Sequence, residues 1–62
     1  MWIKTVYGEL INADRFYMIR YDTTMNRTMG FTNRNQIVIA HGDATEDIQN
    51  SIMRNANLME VR

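Results

Sequence analysis

The chain has 62 residues, 45% of them hydrophobic and 23% charged, with seven Lys+Arg against seven Asp+Glu and neither Cys nor Pro. That length allows one small domain, residues 1–62, and excludes a two-domain enzyme, an alternating α/β nucleotide-binding fold and a catalytic cleft of ordinary size. Without Cys there is no disulfide, thiolate nucleophile or Cys-rich zinc site, and a zero formal charge argues against a protein whose main task is neutralising phosphates.

Apolar burial on the order of 95 kcal/mol is offset almost completely by the cost of ordering the chain at about 1.5 kcal/mol per residue. A lone copy is therefore marginal, and association with itself or a partner is expected. Met1 to Thr5 holds no basic stretch leading into an apolar run, and no apolar segment is long enough to span a bilayer. A reducing cytoplasm, with no membrane association, is the expected location.

Trp2-Ile3-Lys4-Thr5-Val6-Tyr7 is rich in β-branched and aromatic residues and predicts a strand over about 2–7. Gly8-Glu9 suits a two-residue hairpin turn with Gly first, followed by a short return strand over 10–12. Ala13-Asp14-Arg15 is turn-like. Residues 16–21 then alternate, with Tyr17, Ile19 and Tyr21 on one face and Phe16, Met18 and Arg20 on the other. Asp22 to Arg27 reads as a hairpin loop with an Asn suited to the left-handed region, and 28–32 as its returning strand. After the polar turn Asn33-Arg34-Asn35, the apolar run of residues 36–41 predicts a central strand.

His41-Gly42-Asp43 ends that strand, and the period changes to that of a helix over about 44–59. Asp43 and Glu46 fit a capping box, with Thr45 as the alternative cap, and Asp43, Glu46 and Asp47 complement the helix dipole. Ile48, Ile52, Ala56 and Met59 form the expected buried stripe, with Gln49, Asn50 and Arg54 directed away. The fold expected is an α+β domain: a four- to five-stranded antiparallel meander with one C-terminal helix packed on one face.

Met1-Trp2-Ile3-Lys4-Thr5, then Gly8, then Leu10-Ile11-Asn12-Ala13-Asp14 resembles the opening of a group of small bacterial and prophage proteins that share a Met-Trp-Ile-basic-Thr start, a Gly turn and an Ile-Asn segment. The resemblance covers about fifteen residues and departs from the pattern at Ala13, where the group has Leu. It implies a meander sheet, a terminal helix and a bacterial or phage origin. It carries over no activity and no functional residue.

Few residues offer chemistry. His41, the only His, has Asp43 nearby, but two groups fall short of the three or four ligands of a zinc site, so no metal is expected. Ser51, the only Ser, lacks a nucleophile elbow and reads as a solvated helix position. Of the carboxylates, three start the helix and Glu9, Asp14 and Asp22 fall in turns, which leaves no acid–base pair held in a cleft. The chain is expected to be no enzyme and to need no cofactor.

Between Arg15 and Arg34 four arginines face Asp22 alone. Arg20, Arg27 and Arg34, with Tyr21, Met25 and Met29, form the candidate partner-binding set, since Arg pairs bidentately with carboxylates and Met adapts to partner surfaces. Met53 and Met59 read as core. Trp2, Tyr17, Tyr21 and Phe31 exceed what one helix on a small sheet can cover, and Trp2 and Phe31 are the candidates for self-association as a homodimer. The function expected is a protein-protein interaction module, in a phage or mobile-element setting a stoichiometric inhibitor of a host defence or nucleic-acid enzyme. The alternative is nucleic-acid binding, with bases stacked on aromatics of a basic sheet surface.

Overall fold

In the computed structural model, which describes residues 1–61, the β-rich opening segment is paired only over Trp2–Lys4 (β1). Thr5 ends it early. Its N–H donates to the Glu9 carbonyl at 2.8 Å, its carbonyl accepts from Gly8 N–H at 2.9 Å, and its Oγ1 accepts from the Tyr7 and Glu9 amides. Gly8 sits at φ +81°, so the turn is a three-residue loop with Gly in the left-handed position, where a two-residue turn was expected. The return strand Leu10–Asn12 (β2) pairs antiparallel with β1, Ile3 opposite Ile11.

Asn12 accepts from the Asp14 amide and starts a 3₁₀ turn over Ala13–Arg15. Then comes the predicted meander: Met18–Asp22 (β3), Arg27–Phe31 (β4) and Gln36–His41 (β5), antiparallel throughout. Asp22 Oδ1 accepts from the Thr24 and Met25 amides, and Asn26 takes φ 51°, so the first of these loops is shaped by the residue types that suggested it. The pairing of β4 with β5 slips between Thr28/Ala40 and Met29/Val38, which leaves Ile39 as a bulge. The Ile39 carbonyl accepts the Val6 amide at 2.9 Å, and this bond ties the first hairpin loop to β5.

The sheet is not a single meander. β3, β4 and β5 form one three-stranded sheet, and the second has the order β2-β1-β6, where β6 is Leu58–Glu60 running parallel to β1 with Met59 beside Ile3. Leu58 and Met59, the first two residues of β6, form the end of the expected helix, and Glu60 lies beyond it. The helix itself (α1) spans Thr45–Met53 and ends because Asn55 adopts φ 55°. Ala56 N–H then donates to the Ser51 carbonyl and Asn55 N–H to the Ile52 carbonyl, both at 3.0 Å, the paired bonds of a Schellman stop. Met59 reaches the core by strand alternation.

Ending the helix early also changes its buried stripe. Ala44, Ile48 and Ser51 face inward, whereas Ile52 is 55% exposed and Met53 72%, so two expected core residues are corrected to surface and Ser51 from surface to interior. Ala44 takes the N-cap position with no side-chain cap, and Asp43 instead accepts from the Thr45 amide and hydroxyl. The capping box with Glu46 is not made. Ile3, Ile39, Ala40, Ala44 and Ile48 form the core between the two sheets and α1, flanked by Phe16, Ile19, Met59 and Val61. Phe16 lies over Gly30, where a Cβ would stand 2.7 Å from the ring. It therefore packs inward, against the alternation expected for 16–21.

Candidate functional site

Strand pairing determines what the sheet β3-β4-β5 shows on its two faces, because directly opposed residues share a face. Ile19, Tyr21, Thr28, Gly30, Ile37 and Ala40 share the face that carries the core residues Ile19 and Ala40. The other face carries Met18, Arg20 and Asp22 from β3, Arg27, Met29 and Phe31 from β4, and Gln36, Val38 and His41 from β5, with His41 directly opposite Arg27. This outer face is the candidate site.

At its centre Met29 is only 4% exposed yet stands outside the core cluster. It floors a shallow depression of about 230 Å³ whose walls are Arg20, Asp22, Phe31 and Gln36. Tyr17, 68% exposed, extends the apolar surface, its ring tilted against Phe31 at 6.4 Å between centroids. Arg27 and Asp22 close the β3–β4 hairpin side by side, but Arg27 Nε lies 3.8 Å from Asp22 Oδ2, beyond hydrogen-bond reach. Asp22 Oδ1 is committed to the loop amides. Arg27 Nε is thus buried and makes no hydrogen bond. A donor of this kind is costly to leave unmade and gains most from an incoming carboxylate or phosphate oxygen.

Four of the expected residues, Arg20, Arg27, Met29 and Phe31, therefore meet on one surface. The others do not. Tyr21 points to the opposite face, its hydroxyl donating to Asn26 Oδ1 at 2.5 Å. Met25, 59% exposed, sits in the β3–β4 loop, and Arg34 lies at the other end of β4 beside Asp14, Arg15 and Ile37. Met29 is buried by its neighbours, which corrects the exposure expected of it. Trp2, 49% exposed, belongs to the other sheet, sharing a face with Leu58 and Asn12. It forms no common patch with Phe31.

Met18, Gln36 and Val38 join the site without having been singled out as site residues in the sequence, and Tyr17, expected among the large residues one helix cannot cover, joins them beside Phe31. Alternation places Met18 on the face of Arg20, as the sequence predicts, but the bulge at Ile39 hides which face Val38 takes. His41 ends β5 as expected, with Tyr7 edge-on to its ring at 5.6 Å. Among the described residues no group of three or more His, Cys, Asp or Glu is placed to hold a metal, and no helix is long and apolar enough to cross a membrane. Comparison with protein-family models, curated proteins and solved structures finds no match for this chain.

Proposed function

We propose that this protein is a small non-enzymatic interaction module that binds an acidic segment of a partner protein on the outer face of β3-β4-β5. The observation that supports this reading is the buried, unbonded Arg27 Nε at the margin of an uncovered sheet face bearing Met29, Phe31 and Arg20. A carboxylate arriving there meets the partly exposed guanidinium of Arg27, which Asp22 only approaches at 3.8 Å, and pairs with Arg20, while an apolar neighbour seats against Phe31 over the floor formed by Met29. Occupying a surface needs no catalytic group. The small size and the resemblance of the opening segment to prophage proteins support a stoichiometric inhibitor of a host defence or nucleic-acid enzyme, acting in the cytoplasm. Tyr17 exposed beside Phe31 favours a second reading, single-stranded nucleic acid stacked on the same face.

The test is capture from lysate, with and without nuclease treatment, using three baits: wild type, Arg20→Glu/Arg27→Glu, and Arg34→Glu. One protein retained by wild type and Arg34→Glu but lost with the double variant is the expected result. Retention of nucleic acid that salt removes, or of a protein the double variant also holds, overturns the reading.

A further inference from the structure

β3 is an edge strand of its sheet, and the other edge, β5, is met by the Val6 amide at Ile39. In its sheet β3 pairs only with β4, and among the described residues no backbone group of Met18–Asp22 bonds any other element. The strand has no Pro, no Gly and no bulge, and its one outward-facing cation is Arg20. An edge of this kind is open to pairing with another strand.

A second feature lies beside it. One flank of α1, with Asp47, Asn50 and Arg54, faces the end of β5 and β6, and the other faces β3. The flank toward β3 carries Thr45, Gln49, Ile52 and Met53, which with Ile19 line an open groove of about 320 Å³. Ile52 and Met53, the helix residues most at odds with the expected core, thus stand exposed above the unpaired edge. Strand edge and apolar flank together form one continuous surface.

The register that a second copy would use is constrained. Two identical strands paired antiparallel about a two-fold axis keep their inner faces together only when the axis passes through a residue. An axis through Arg20 sets Arg20 against its own copy, and an axis through Asp22 sets two carboxylates together; both are unfavourable. An axis through Tyr21 sets Arg20 opposite the second copy's Asp22 and Asp22 opposite its Arg20, with Ile19 opposite Thr23 on the inner face. Axes through Met18 or Ile19 set Arg20 opposite Phe16 or Met18, without a partner for its charge, so of the five axes on β3 the one through Tyr21 alone pairs opposite charges.

We propose that β3 is a self-pairing edge: a second copy of the chain adds its β3 antiparallel about a two-fold axis through Tyr21, covering the Ile52–Met53 flank of α1. The two meanders become one six-stranded sheet. The marginal burial available to one copy makes such an association consistent with the size of the chain. The interface uses the strand edge and the inner side of the sheet, but its charge pairs share Arg20 and Asp22 with the outer face; Arg27→Glu, on β4 and outside the pairing, is expected to lose the partner and keep the dimer, which separates the two readings.

Light scattering after size exclusion is expected to give twice the monomer mass of 7.3 kDa for wild type and for Trp2→Lys. Arg20→Asp is expected to weaken the dimer about tenfold or more, since both cross-strand pairs become repulsive. Ile52→Asp, at an exposed site, is expected to give a folded monomer by circular dichroism. The register is read by cross-linking, for which the chain's lack of Cys is an advantage. Tyr21→Cys is expected to form an intermolecular disulfide readily under mild oxidation, and Arg20→Cys only slowly, because residues at the axis lie within disulfide reach. A wild-type monomer at high concentration, a dimer lost on Trp2→Lys but kept on Ile52→Asp, or faster cross-linking through Arg20→Cys each overturns the proposal.

Discussion

The Thr28 hydroxyl accepts the Ala44 amide at 2.9 Å and donates to the Gly42 carbonyl at 2.8 Å, so one fully buried side chain on β4 fastens the start of α1 to the sheet across sixteen residues. The helix begins at a residue with no side-chain cap, and the residue that orders its approach belongs to another element. The hydroxyl is held by the pairing of Thr28 with Ala40 and Tyr21 on either side.

Thr28→Val keeps the shape and β-branching and removes both bonds. A buried amide and a carbonyl lose their partner, at a cost of about 1–3 kcal/mol. Urea denaturation is expected to show this loss with an unchanged slope. A change below about 0.5 kcal/mol would mean that water takes over both groups and that the bridge does not order the junction.

The helix face gives a sharper test. Ile48 is 2% exposed and Ile52 55%, although both fall on the same stripe in the sequence. Ile48→Asp places an unpaired charge in the core and is expected to cost more than about 3 kcal/mol or prevent folding. Ile52→Asp, at a concentration low enough to hold single copies, is expected to shift stability by less than about 1 kcal/mol. Equal damage from the two would return Ile52 to the core.

The exposure of Ile52 follows from Asn55. The spacing Ile48, Ile52, Ala56, Met59 is that of a helix, and nothing in it marks a stop; Asn in the left-handed region is permitted but not required by its identity. Once Asn55 turns the chain, Met59 is partly buried against the core through the alternation of β6 alone, and the stripe shifts to Ala44, Ile48 and Ser51. The meander Met18–His41 was legible because each turn carries its own chemistry: Asp22 and Asn26 in one loop, Thr32 and Asn35 in the next. The parallel β1–β6 pair was not, since it joins the two ends of the chain and has no local signature. The site was legible in part. Arg20, Arg27, Met29 and Phe31 converge, but Tyr21 could not share a face with Arg20, its neighbour on an alternating strand.

Asp43 supplies a pH test. The Thr45 hydroxyl and then the Thr45 amide donate to its carboxylate and hold it below the usual value of 3.8. Hydrogen bonds to the ionised form stabilise the folded state above the unfolded pKa, and that contribution is lost as pH falls through the lower folded value. The melting temperature of Asp43→Ala is therefore expected to lie below that of wild type by a constant margin from about pH 5 to 7, and the margin to shrink below about pH 4. A margin that widens in acid would reverse the sign of the interaction.

Gly30 and Phe16 provide a coupled pair. A Cβ on Gly30 would approach three atoms of the Phe16 ring at 2.7 to 2.9 Å, distances that a rigid aromatic ring on a sheet face cannot absorb without moving. Gly30→Ala is expected to cost about 1–3 kcal/mol through this overpacking. In a Phe16→Ala background the obstacle is gone, and the same substitution is expected to be neutral or to stabilise by about 0.5–1 kcal/mol, the ordinary gain of Ala over Gly within a strand. The difference between the two backgrounds is the coupling energy of the pair. If Gly30→Ala costs the same in both, the glycine is needed for its backbone rather than for the ring that lies over it.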